Sequence, residues 1–259
     1  MAIGKLARRL REHDWFAALI EVLIVIVGIL IALQVSNWNQ DRHDRQLARQ
    51  YAQRMHGELQ SDLRNMALTR EFWERVAAYQ AEASANAETG ALAGGSAWRT
   101  LLAYYQASQL RPFELEDTTF VELRDAGELG LLADGTLSKG LADYYRNTGT
   151  GMIGEILRHN PQYRLQIRGL TPYALQEYIW AKCWRQREGA DQVLIDCPSP
   201  IPEAQAAAIV DGFRTNETLL QNLRFWRAQM HVSVLIVRNV EQQARDLDAR
   251  VQALAKPVP

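Results

Sequence analysis

Hydrophobic positions follow two regimes along this chain. Near the N-terminus they are continuous: Trp15-Phe16-Ala17-Ala18-Leu19-Ile20-Glu21 leads into an uncharged run from Val22 to Gln40. Farther on they recur every three or four residues among charged ones. The first pattern predicts a helix in an apolar medium, and the second predicts helices with one covered face. Trp15 to Trp38 gives a helix about 35 Å long, which covers a hydrocarbon core of about 30 Å with a tryptophan near each interface. A buried core helix and a cleaved signal peptide are the alternatives. Against the first stands the aliphatic run Val22–Val27, continued as Ile29–Leu33. Against the second, Ala32-Leu33-Gln34-Val35-Ser36-Asn37-Trp38 contains no Ala-x-Ala cleavage site. The expected organisation is a short cytoplasmic tail (1–14), a transmembrane helix (15–35) and a helical-bundle domain (36–259).

Within that domain, strand-like alternation is nearly absent and Pro and Gly are sparse, so the expected fold is all-α. A stalk helix over 36–86 carries Leu47, Tyr51, Met55, Leu59, Leu63 and Met66 at helical spacing, extended by Phe72, Trp73, Val76 and Tyr79. Gly57 weakens it by about 1 kcal/mol relative to Ala. The stretch 87–96 reads as a loop. Short helices follow over 97–212: Ala97–Ser108, a helix opened by a Thr119/Glu122 capping box and closed by Gly127, Thr136–Asn147, and one opened by Thr171-Pro172 and running to Trp184. Arg185–Pro200 reads as a loop and Pro202 as the start of a helix to Gly212.

The long C-terminal helix, 216–255, has the cleanest period. Leu219, Leu223, Trp226, Met230, Val234, Val237, Val240, Ala244, Leu247, Val251 and Leu254 form a heptad-like seam. Two packings suit it. The helix lies antiparallel on the stalk, returning the C-terminus toward the membrane, or it pairs in parallel with a second copy. The antiparallel bundle is the simpler expectation.

The stretch Gly28-Ile29-Leu30-Ile31-Ala32-Leu33-Gln34-Val35-Ser36-Asn37-Trp38-Asn39, preceded by Ile20-Glu21-Val22, resembles the span signature of an uncharacterised family of bacterial single-pass membrane proteins. Thr119 to Leu129 and Leu141-Ala142-Asp143-Tyr144-Tyr145 resemble the same family. The resemblance does not extend over 149–216, and Leu19-Ile20 stand where the family has a glycine before the glutamate. It implies a span with a helical domain behind it. The family has no assigned activity, so it implies no reaction.

The formal net charge of −1 gives no reason to expect a nucleic-acid or polyanionic partner. Lys5, Arg8, Arg9 and Arg11 precede the span and Arg42, Arg45, Arg49 and Arg54 follow it, so the positive-inside rule is nearly balanced. The compact basic tail favours a cytoplasmic N-terminus. So do Cys183 and Cys197, whose spacing suits a disulfide in a periplasmic domain. Two unrelated buried thiols are the alternative. These features predict a bacterial inner-membrane protein with its large domain in the periplasm.

Glu21, Val25, Gly28 and Ala32 fall on one face of the span. Gly28 and Ala32 form a small-xxx-small pair that admits a second helix, with Glu21 hydrogen-bonded across the contact. Alternatively, Glu21 snorkels to the interface or is protonated. His13, His43, His56, His159 and His231 form no His-Glu-x-x-His pattern, and the cysteines lack further ligands nearby. Glu114, Glu116 and Asp117 suggest either a cation site or helix N-terminal charge. Tyr104-Tyr105 and Tyr144-Tyr145 suggest core packing before a ligand pocket. Gly149, Gly151 and Gly154 lack the strand a phosphate loop requires. No catalytic, metal or cofactor residue is assigned. The expected partners are the lipid bilayer and a protein partner or a second copy, met through the span and stalk. The leading expectation is a non-enzymatic protein acting by association, as an accessory or structural subunit. A ligand-sensing module working through a partner is the second reading, and an enzyme the third.

Overall fold

The computed structural model describes residues 3–111, 115–132, 135–149, 160–186 and 192–256, with the backbone alone for 3–18 and 147–149. Among these residues the architecture is nearly all-α. The helices are α1 (Ile3–Thr89), α2 (Ala97–Gln106), α3 (Thr118–Asp125), α4 (Gly135–Gly149), α5 (Gln162–Leu170), α6 (Tyr173–Lys182), α7 (Glu203–Arg214) and α8 (Glu217–Ala255). Strands β1 (Trp184–Gln186) and β2 (Gln192–Leu194) form an antiparallel hairpin with Trp184 opposite Leu194. Two units divide the chain, Met1–Tyr51 and Ala52–Pro259, and α1 contributes to both.

The first unit is helical from Ile3, and no side chain from Leu19 to Arg42 is covered. Its polar end is braced by local bonds: Gln40 Nε2 donates to Asp44 Oδ1 at 2.8 Å, and Arg45 Nε donates to the Asp41 carbonyl at 3.0 Å.

In the second unit, α1 and α8 run antiparallel. His56 meets Asp248 (2.5 Å), Gln60 Nε2 donates to Asp248 Oδ2 (2.8 Å), Arg70 Nε donates to Glu241 Oε1 (2.9 Å) and Arg238 Nη2 donates to Glu74 Oε1 (2.8 Å). Partner numbers fall on α8 as they rise on α1, which is the intrachain antiparallel packing expected from the seam. The buried stripe of α1 is Met55, Leu59, Asp62, Met66, Thr69, Trp73, Val76, Gln80 and Ala83. It keeps three-and-four spacing but passes through Asp62 rather than Leu63, which is half-buried. On α8 the expected seam is buried at Leu219, Leu223, Trp226, Met230, Val237, Ala244, Leu247 and Val251. Val234, Val240 and Leu254 are only half-buried, whereas Ser233, Glu241 and Asp248 lie inside. The two acids are drawn in by partners on α1.

The shorter helices close over this pair. Trp226 Nε1 donates to the Ala107 carbonyl at 3.0 Å, tying α8 to the end of α2. A Cβ at Gly140 would lie 3.0 Å from Leu247 Cδ2, so α4 approaches α8 closely there. Helix α2 is capped by Ser96, whose side chain accepts from Arg99 N, and Glu203 of α7 accepts from both Ser96 Oγ and Ala97 N.

Four local expectations are corrected. The Thr119/Glu122 capping box does not form. Thr119 N and Oγ1 both donate to Glu58 on α1, and Glu122 pairs with Arg54. The cap comes from another helix, because Glu58 reaches the free N–H groups that open α3. Thr171 turns back, its Oγ1 donating to the Ile167 carbonyl at 2.7 Å, and α6 begins after Pro172. The segment read as a loop after Trp184 contains the hairpin, and α5 occupies residues given no element from the sequence. Gly127 does end α3, with φ 73°.

Candidate functional site

The span is the feature with the clearest physical meaning. Among the described residues, α1 from Leu19 is the one helix long and apolar enough to cross a membrane. None of its most apolar window is buried by protein. Soluble proteins rarely expose so large a contiguous apolar surface, and such surfaces mark membrane or partner contacts. Glu21, Val25, Gly28 and Ala32 are all exposed and share one face at helical spacing. A Cβ at Gly28 would meet nothing within 4 Å, so the chain itself does not use this close-approach position. Trp38 is exposed at the polar end of the run. Trp15 lies outside the described side chains.

Cys183 and Cys197 are joined by a disulfide, with Cα atoms 5.1 Å apart. The bond closes the base of the hairpin. Around it, Ile195 N and Gln106 Nε2 each donate to the Cys183 carbonyl at 3.0 Å, and Trp98 Nε1 donates to the Cys197 carbonyl at 2.8 Å.

A buried acidic and phenolic cluster lies where α1, α3 and α4 meet. Asp62 is 2% exposed. Its Oδ1 accepts from Glu116 N at 2.9 Å and its Oδ2 from the Tyr144 hydroxyl at 2.9 Å. Burial pushes its carboxyl up from 3.8 to about 7, more than the two hydrogen bonds lower it, and Glu116 and Glu58 add repulsion. Burial also raises Glu58. The Tyr145 hydroxyl is buried without a partner, and the phenols of Tyr144 and Tyr145 are pushed far up by burial and by Asp62. Glu114 lies outside the described residues, and Glu116 takes a hydrogen bond from Ser61 Oγ at 2.6 Å. The tyrosine pairs are core: Tyr104, Tyr105 and Tyr144 are fully buried, and Tyr145 is stacked on Phe120.

A second cluster is cationic. Arg164 Nη1 donates to the Ser108 carbonyl (2.7 Å) and to Gln109 Oε1 (3.3 Å), and Arg168 Nη2 donates to Gln109 Oε1 (3.1 Å). The Arg168 guanidinium sits 5.3 Å from the Tyr105 ring centre and 5.4 Å from that of Trp180.

Among the described residues, no group of three or more His, Cys, Asp or Glu is placed to hold a metal ion. His56 joins Asp248, His43 and His231 are exposed, and His13 and His159 lie outside the described side chains. Gly151 and Gly154 lie outside the described residues as well. Sequence reasoning missed Asp62, although the signal was present: it occupies the i+7 position of the stripe begun by Met55 and Leu59. Arg164 and Arg168 had no local signal beyond their i,i+4 spacing.

Comparison of the chain with protein-family models, curated proteins and solved structures finds no significant match.

Proposed function

We propose that this chain is a single-pass, membrane-anchored helical protein that acts by association, as an accessory or structural subunit of a membrane complex or as a homo-oligomer. The observation that carries the reading is the uncovered apolar span with Glu21, Gly28 and Ala32 on one face. A carboxylate within hydrocarbon is costly, and a helix–helix contact gives it a hydrogen-bonding partner. Small residues on the same face let a second backbone approach. In this reading the N-terminus is cytoplasmic, the anchor lies in a bacterial inner membrane and residues 36–259 lie in the periplasm. The Cys183–Cys197 bond supports that side, because disulfides persist in oxidising compartments. The resemblance of the span to a family of bacterial single-pass proteins supports the same architecture. The reading needs no catalytic residue, cofactor or nucleic acid.

Two measurements on the intact protein test it. A reporter fused after Pro259 is active only in the periplasm, and activity of a cytoplasm-only reporter there reverses the topology. In mild detergent the protein migrates as a complex larger than one 29.4 kDa chain with its micelle. A strictly monomeric, partner-free species contradicts the reading.

A further inference from the structure

Arg164 and Arg168 stand one turn apart on α5, and no carboxylate faces either of them among the described residues. The surrounding segment, Asn160 to Gln176, contains no acidic residue at all. Among the described residues, the two guanidinium groups contact only neutral groups: the Ser108 carbonyl, the Gln109 amide oxygen and the Tyr105 and Trp180 rings. Gln109 is itself 2% exposed and committed, its amide nitrogen donating to Gln106 Oε1 at 3.0 Å. Burial lowers both guanidinium pKa values, and together with the neighbouring Arg168 charge it brings that of Arg164 to about 10.

Half-buried cations are normally paired, because desolvation is offset only by a counter-charge. Two like charges on one helical turn add repulsion to that penalty. Each guanidinium carries five N–H donors in a rigid fork, and the neutral acceptors take only a few of them. Arg168 Nε is buried and unpartnered. The remaining unbonded donors of both residues are reached by solvent, since no other atom of the pair is both buried and unsatisfied. Trp180, 37% exposed, forms an apolar wall beside the Arg168 guanidinium.

We propose that Arg164 and Arg168 form a binding site for the carboxylate of a small organic acid, whose apolar body lies against Trp180. A carboxylate matches the planar fork of a guanidinium in two parallel hydrogen bonds and neutralises the excess charge. The aromatic wall selects an acid with a flat or apolar body over a bare inorganic anion. This site is independent of the association proposed above, since it lies in the helical domain and not on the span. The competing account gives the two arginines a structural role alone, as cations at the C-terminal end of α2.

The experiment titrates the full-length protein in mild detergent with benzoate, with benzamide as its neutral isostere, and with phosphate, all at constant ionic strength. Tryptophan fluorescence and the melting temperature are the readouts. Benzoate is expected to change the fluorescence saturably and to raise the melting temperature, while benzamide does neither. Arg164→Gln is expected to weaken benzoate binding about tenfold or more, as loss of a charge-assisted hydrogen bond does. Arg164→Lys retains part of the binding and shows that the fold tolerates a change there. Equal responses to benzoate and benzamide overturn the proposal, because no charge is then being read. A phosphate response as strong as that to benzoate overturns the assignment to organic carboxylates. A folded Arg164→Gln protein that binds benzoate like wild type removes the site.

Discussion

Replacing Asp62 by Asn tests the buried cluster most sharply. The folded protein holds the Asp62 proton with a pKa of about 7, against 3.8 for the exposed carboxyl. The folded state therefore binds more protons than the unfolded state between these values, and stability falls as pH rises through that window. Three units at about 1.4 kcal/mol each set an upper size of about 4 kcal/mol. From pH 5 upward about two of those units remain, about 3 kcal/mol, which for a domain of this size is a melting shift of about 6–12 °C. Asn cannot ionise, yet it keeps both contacts: its Oδ1 still accepts from Glu116 N, and its Nδ2 donates to the Tyr144 oxygen in reversed polarity. The assay is thermal unfolding of the intact protein in detergent from pH 5 to pH 8. Glu74 is lowered by Arg238 and Arg70, and Asp196, against its burial, by the Tyr79 hydroxyl and Arg99, and their contribution is lost only as pH falls below the usual carboxylate range. They leave this window flat, whereas Glu58, raised by burial, adds a slope of the same sign. Wild type should melt lower at pH 8 than at pH 5, and Asp62→Asn should make that slope shallower, leaving the part that Glu58 contributes. Parallel slopes for the two proteins would refute the reasoning, as would wild-type stability that rises toward pH 8.

Glu58→Ala removes the acceptor that caps α3 from another helix and should destabilise the domain by about 1–2 kcal/mol, read as a lower denaturation midpoint with protection from hydrogen exchange lost first over residues 118–125. Cys183→Ser with Cys197→Ser opens a bond between residues 14 apart and should lower stability by about 3 kcal/mol in the chain-entropy estimate; dithiothreitol should do the same to wild type and nothing to the double variant. Glu241→Ala removes the closer carboxylate of the half-buried Arg70, leaving it Glu74 at 3.4 Å, and should cost about 1–3 kcal/mol, whereas Glu217→Ala, at the exposed start of α8, should stay within about 0.5 kcal/mol; unfolding midpoints for the two check the contrast.

Where one helix face decides the outcome, the sequence is readable. The span is legible because nineteen uncharged residues in a row, Val22 to Gln40, leave few alternatives. Helix α8 is legible because its apolar period persists from Leu219 to Val251. What was not legible depends on contacts between distant residues. Asp62, Glu241 and Asp248 are polar by type yet buried, since Tyr144, Arg70 and His56 supply their partners across the bundle. Thr119 carried a local capping pattern that lost to Glu58, which lies 61 residues away. Strands of three residues are too short to show alternation, so the hairpin at Trp184 and Leu194 left no pattern. Helix α5 has polar residues on most sides and gains its stability from Tyr163 and Ile167, both fully buried. The arginine pair on the same helix faces no acid among the described residues, which only the folded arrangement reveals.

The claim that association runs through the span is tested most directly by comparing Gly28→Leu with Val22→Leu. Both add bulk to the span, the first on the face shared with Glu21 and Ala32 and the second on another face. The complex isolated in mild detergent is sized for each, with the proteins it carries identified. Interhelical contacts in bilayers are worth about 0.6–2 kcal/mol, so the account predicts a measurable shift of Gly28→Leu toward the single chain and an unchanged complex for Val22→Leu. A Gly28→Leu protein of wild-type size with the wild-type set of partners would contradict it, and the span would then be an anchor alone.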